Sequence, residues 1–156
     1  MMPFKSWIEL VKWLRSKTKT NDFIIHGSVA MGIYGAPRSS VDVDVAAPIK
    51  LFSGVSRVTE VLRDNEFTEW MHAQIIFNAG IVRRFEHKDG WRVDVIEMDK
   101  DGYAEILADS NVVPIEGKNY KVISIEQLIK NKQMRGNVRD LDDIVKLKEI
   151  LKLMQN

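Results

Sequence analysis

Two hydrophobic periods, 3.6 and 2, alternate along this chain and divide it into helices and strands. Trp7, Ile8, Val11 and Leu14 recur at helical spacing and predict a helix over 4–18. Residues 22–26 read as a short apolar strand, followed at once by Gly27-Ser28 and a short helical run ended by Gly35 and Pro37. A strand is predicted over 41–46. Val55, Val58, Val61 and Leu62 form the apolar face of a helix near 52–65. Strand-like pieces follow near 67–70 and 73–77. Ile81 to His87 and Trp91 to Met98 then flank Asp89-Gly90, a dipeptide typical of a tight hairpin. A short helix near 102–109 and an extended piece near 119–123 lead into the C-terminal region. There Ser124-Ile125-Glu126-Gln127 has the form of a capping box, and Asn137-Val138-Arg139-Asp140 starts a further helix. This order of elements implies an α/β (α+β) domain, a mixed β-sheet flanked by helices. No repeat or linker interrupts it, so residues 1–156 are expected to form one domain with a helical segment at about 124–154.

The most informative positions are polar ones inside apolar strands. Asp42 and Asp44 lie two apart in Val41-Asp42-Val43-Asp44-Val45, so their side chains emerge on the same face of the strand. Two carboxylates side by side in an apolar strand repel each other and lose hydration. A hard divalent cation such as Mg²⁺ relieves that cost, because it takes oxygen ligands and is often shared with substrate phosphates. Asp94, in Arg92-Val93-Asp94-Val95-Ile96, would supply a third carboxylate from a second apolar strand. Upstream, Gly27 allows close approach of backbone to a ligand, and Ser28 suits a helix cap with a free hydroxyl. A helix start of that kind is suited to holding phosphate.

The run from His26 to Asp44 resembles the signature of the DNA polymerase β-type nucleotidyltransferase superfamily: apolar strand, Gly-Ser, short helix, then Asp-x-Asp on the next strand. Gly35, Arg38, Ser40, Asp42 and Asp44 match the subtype with a Gly-x-x-Arg-x-Ser/Thr-x-Asp-x-Asp stretch. The likeness is to small bacterial and archaeal members, including antibiotic and abortive-infection (toxin-type) nucleotidyltransferases, and it spans roughly residues 22 to 145. It implies the polymerase β-like fold and metal-dependent transfer of a nucleoside monophosphate from a nucleoside triphosphate such as ATP, with release of pyrophosphate. In that scheme Gly27 and Ser28 hold the terminal phosphates, and Asp42, Asp44 and Asp94 bind two Mg²⁺ ions, with Mn²⁺ as a substitute. Asp94 also serves as general base toward the acceptor. Arg38 and the helical Lys132 contact the substrate phosphates, and Asp140 is a weaker second candidate. The acceptor is a small molecule, an RNA or a protein. The alternative is an inactive or regulatory nucleotide-binding module in a toxin–antitoxin-type partner complex.

Each of these residues also has a plainer reading. Asp42 and Asp44 fit a surface edge strand, and Asp94 fits a cross-hairpin pair with Arg83, Arg84 or Arg92. Ser28 caps its helix on either view. Arg38 suits a loop charge and Lys132 a solvated helix face. Asp140 suits the positive end of a helix dipole. His26 fits a buried, hydrogen-bonded strand histidine, and Asp99-Lys100-Asp101-Gly102 reads as a turn.

Composition narrows the classes further. The chain has 156 residues and no cysteine, which excludes disulfides and thiolate metal sites. No apolar run approaches the ~20 residues needed to span a bilayer, and no signal-peptide pattern opens the chain, so a cytoplasmic protein is expected. There is no Gly-x₄-Gly-Lys-Ser/Thr loop and no nucleophile elbow. The net charge is only +1, yet residues 117–156 carry nine Lys or Arg against five Asp or Glu. That segregation suggests a basic wall contributed by the C-terminal helices.

Overall fold

The computed structural model describes residues 4–36, 42–70, 76–77, 80–136 and 138–155. Arg38, Ser40, Asn137 and the start of the strand-like piece at 73–77 lie outside the described residues. The elements in chain order are α1 (Trp7–Ser16), a 3₁₀ turn (Thr20–Asp22), β1 (Ile24–His26), α2 (Gly27–Ile33), β2 (Asp42–Pro48) and α3 (Arg57–Arg63). They continue with β3 (Phe67–Glu69), β4 (Ile76–Phe77), β5 (Gly80–His87), β6 (Arg92–Met98) and α4 (Lys100–Ala108). The last are β7 (Asn111–Ile115), β8 (Lys118–Val122), α5 (Ile125–Arg135) and α6 (Val138–Met154).

The strands form one mixed sheet in the order β3-β5-β6-β2-β1-β8-β7, with β4 paired to β5. β2 runs parallel to β6 and antiparallel to β1, while β1 is parallel to β8. The central strands carry alternating patterns, and one set of side chains is apolar: Ile25, Val43, Val45, Val93, Val95 and Phe85 are all fully buried. They join a core cluster with Leu10, Val11 and Leu14 of α1, Val58, Val61 and Leu62 of α3, and Tyr103 of α4. Burying each such aliphatic side chain contributes roughly 1.5–3 kcal/mol, so this cluster gives the sheet its rigidity. The same cluster extends to Ile125, Leu128 and Ile129 of α5 and Ile144 and Leu147 of α6.

Local chemistry sets most element ends. Ser124 accepts the Gln127 N–H at 3.1 Å, as the capping box requires. The hairpin β5–β6 turns through residues 88–90, with Gly90 at φ +95°. Asp99 accepts the Gly102 N–H at 2.7 Å and starts α4, so the acidic run that reads as a turn is a helix cap. The helix expected near 52–65 is shorter, because Ser56 caps it and the residues before form a loop whose Leu51 and Phe52 stand fully in solvent. β7 has no counterpart among the elements expected from the hydrophobic pattern. Its side chains are mostly exposed and it contains Pro114, which an edge strand tolerates because one side needs no ladder bond. Among the described residues no helix is long and apolar enough to cross a membrane.

Candidate active site

The pairing register assembles the site. Asp44 pairs with His26 of β1 on one side and with Asp94 of β6 on the other, and Asp94 pairs in turn with Arg84 of β5. Directly paired residues share a face of the sheet, so His26, Asp44, Asp94 and Arg84 form a row across four strands. One step along, Asp42 pairs with Arg92, and Arg92 with Glu86. The opposite face at these positions is the apolar core. Asp42, Asp44 and Asp94 are therefore brought together, on two adjacent parallel strands, by alternation and register alone.

Gly27 lies against this row. It has φ +57°, a region that favours glycine, and a Cβ there would come within 2.7 Å of the Asp44 carboxyl carbon. The first turn of α2 is thus pressed onto the second carboxylate, which no other residue type at position 27 would permit. Ser28 sits in that first turn and is half-buried. It is not the cap expected from the sequence. His26 is the N-cap, and its Nδ1 accepts the Gly27 N–H at 2.8 Å. On its other side His26 Nε2 lies 3.5 Å from Asn131 Nδ2, which ties α5 to the start of α2.

The carboxylates have cationic company. Arg84 donates through Nε to Asp94 Oδ1 at 2.9 Å and through Nη2 to Asp94 Oδ2 at 3.1 Å, a two-pronged pair. The hydrogen bond to Asp94 raises the Arg84 pKa above its usual value against the opposing effect of burial, and the charges of Asp94, Asp42 and Asp44 add to it. Arg92 Nε lies 3.3 Å from Asp42 Oδ1. As the side chains stand, no group of three His, Cys, Asp or Glu among the described residues is gathered closely enough to hold a metal ion. The donor chemistry nevertheless suits a hard cation: three carboxylates on one face, facing away from the apolar core.

Lys132 is not on a solvated face. It is 6% exposed, and its Nζ lies 3.0 Å from Asp143 Oδ2 and 3.6 Å from Asp140 Oδ1. Asp140 is likewise buried, so the two residues expected as separate phosphate contacts belong to a buried junction between α5 and α6. A cavity of about 280 Å³ lies beside this junction, lined by Gly35, Ala36, Asp143 and Lys146. It faces the C-terminal end of α2, whereas the carboxylate row meets the N-terminal end.

Two contributors are missing from the sequence reading, His26 as a cap and Asn131, while Arg84 is one of three arginines that the sequence leaves open as the partner of Asp94. The hairpin register singles Arg84 out, because a turn centred on Asp89 places residue 84 opposite residue 94.

No protein-family model matches the chain, and no curated protein sequence does. Solved structures do match. A protein of Thermotoga maritima provisionally assigned as a nucleotidyltransferase aligns with a TM-score of 0.65 over 95% of this chain and 96% of its own, at 12% identity. The lincosamide antibiotic adenylyltransferase LnuA, in a lincomycin-bound structure, aligns with a TM-score of 0.64 over 94% of this chain and 98% of its own, at 13% identity. The Megavirus polyadenylate synthase aligns with a TM-score of 0.52 over 96% of this chain and 33% of its own, at 14% identity. The chain shares the fold of these nucleotidyltransferase structures, a mixed sheet with flanking helices.

Proposed function

We propose that this protein is a metal-dependent nucleotidyltransferase that moves a nucleoside monophosphate from a nucleoside triphosphate to an acceptor and releases pyrophosphate. The observation that carries this reading is the row of Asp44 and Asp94 on adjacent strands, with Asp42 one step along and Gly27 packed onto Asp44. Fold likeness to nucleotidyltransferases supports the reaction class.

Asp42, Asp44 and Asp94 would hold Mg²⁺ or Mn²⁺, which when bound supplies charge neutralisation for the attacking and leaving oxygens. Asp42 and Asp44 share one strand and one face, so the strand itself sets their spacing. Asp94 comes from the neighbouring strand and would accept the proton of an acceptor hydroxyl. Gly27 packs on Asp44, and Gly27 and Ser28 at the start of α2 would hold the terminal phosphates of the substrate. His26 fixes that turn through its bond to the Gly27 N–H. Rate enhancement in such a site would come mainly from positioning and electrostatics. The buried Lys132–Asp143 pair holds α5 against α6, and through Asn131 supports His26 from behind.

The test is direct. Purified protein is incubated with each of the four α-labelled nucleoside triphosphates, Mg²⁺ or Mn²⁺, and fractionated acceptors: aminoglycoside- and lincosamide-type small molecules, bulk RNA and lysate protein. Metal-dependent label transfer that Asp44→Asn eliminates supports the proposal. Binding of triphosphate without transfer to any fraction, unchanged by Asp44→Asn, would replace it with a nucleotide-binding module.

A further inference from the structure

One guanidinium takes both oxygens of Asp94. Arg84 Nε and Nη2 lie 2.9 and 3.1 Å from Oδ1 and Oδ2, so the oxygens that an ion shared with the other carboxylates would need are already engaged by a positive charge. This pair is not sealed in the core. The Arg84 side chain is 33% exposed and that of Asp94 is 13% exposed, so solvent and ions reach it. Arg84 also has a second seat. Its guanidinium carbon lies 5.7 Å from the centre of the Trp70 ring, and Trp70 is half-exposed and held by its indole N–H to Glu86 at 2.9 Å. Glu86 lies two residues along β5 from Arg84, on the same face. An arginine that leaves Asp94 therefore keeps an aromatic face and gains a nearby carboxylate, so the exchange strands no unpaired charge.

We propose that Arg84 is the resident counter-ion of Asp94, which a divalent cation displaces, so that Arg84 positions Asp94 in the metal-free molecule and sets how tightly the site takes metal. This rests on the carboxylates being cation ligands, as proposed above. The physical logic is competition. In the metal-free chain Arg84 relieves repulsion among Asp42, Asp44 and Asp94, and metal affinity is lowered by the fraction of molecules in which Arg84 holds Asp94. The ordinary alternative, a cross-strand pair that only stabilises the hairpin, predicts that removing Arg84 loosens the strand and weakens metal binding.

The experiment titrates the full chain with Mn²⁺ alone and reads free Mn²⁺ by electron paramagnetic resonance. Arg84→Met should tighten Mn²⁺ by about tenfold, the size expected for losing one charge-assisted pair. Arg84→Lys, which keeps the charge but cannot fork onto both oxygens, should fall between wild type and Arg84→Met. If Arg84→Met does not fold, Arg84→Lys alone carries the test, and it must still bind Mn²⁺ more tightly than wild type. Unchanged or weaker Mn²⁺ binding in the Arg84 variants, while Asp42→Asn weakens it, overturns the role of Arg84 and leaves the carboxylate site standing. Mn²⁺ binding that is indifferent to Asp42→Asn overturns both.

Discussion

The same hairpin carries two arginine–carboxylate pairs, one on each face, and they differ in kind. On the core side Glu97 is fully buried and engaged from three directions: it accepts from the Ser56 N–H at 2.7 Å, the Thr59 hydroxyl at 2.6 Å and Arg83 Nε at 2.6 Å. Burial pushes the Glu97 pKa up, but the bonds from Thr59, Ser56 and Arg83 outweigh it and hold the carboxyl below the usual glutamate range. This cluster ties the start of α3 to β6. On the other face Asp94 is held by the single guanidinium of Arg84, with partial exposure and acidic neighbours at Asp42 and Asp44. A carboxylate satisfied from three sides is a structural lock, while one held by a single, partly exposed guanidinium is easier to reach and to re-pair.

The two pairs should separate cleanly under mutation. Asp44→Asn and Asp94→Asn should each lower nucleotidyl transfer by about a thousandfold, equivalent to roughly 4 kcal/mol of transition-state stabilisation, measured by single-turnover label transfer. Their unfolding midpoints in urea should stay near wild type, because the site face is not core. Glu97→Ala should do the reverse and cost about 3 kcal/mol of stability, since it removes the shared acceptor of the Ser56 N–H, the Thr59 hydroxyl and Arg83 Nε and leaves Arg83 only Glu69. Transfer per folded molecule should survive. A Glu97→Ala protein of normal stability but no activity would collapse the distinction.

Gly27→Ala sits between the two cases. Its Cβ meets the Asp44 carboxylate from a left-handed backbone, so about 2 kcal/mol of strain is expected, together with weaker Mn²⁺ binding. Denaturation and metal titration on one preparation would check both. Acidification gives a smaller and graded effect. Because the folded-state pKa of Glu97 is depressed, its stabilisation is present above the ordinary glutamate pKa and is lost as pH falls through the folded value. Stability measured from pH 7 to pH 3 should therefore fall less steeply in Glu97→Gln than in wild type. Equal slopes would remove Glu97 from the acid response.

Much of the site is legible in the sequence. Asp42, Asp44 and Asp94 stand out because a polar residue between valines has few bland explanations, and Gly27-Ser28 because a strand, a tight turn and a short helix leave few conformations. Lys132 and Asp140 are harder, since a basic residue on an amphipathic helix looks the same in sequence whether it faces water or a neighbouring helix. Only packing of α6 on α5 shows that Lys132 faces Asp143. Position 38 carries the remaining phosphate candidate and lies outside the described residues.

Period and punctuation by themselves determined most of the elements (though not β7), their mixed type and the pair Asp42–Asp44, because strand alternation is a local rule that needs no partner. The hairpin about Asp89-Gly90 was legible too, but its register, which sets residue 84 opposite residue 94, came from the structure. Tertiary structure alone decided that β2 and β6 lie side by side and in parallel, since they are separated by α3 and three other strands and no local rule chooses the register between them. It decided too that His26 rather than Ser28 caps α2, and that Arg84 rather than Arg83 or Arg92 takes both oxygens of Asp94. Those outcomes turn on which face a strand presents once the core is buried, and that choice is made by the whole sheet at once.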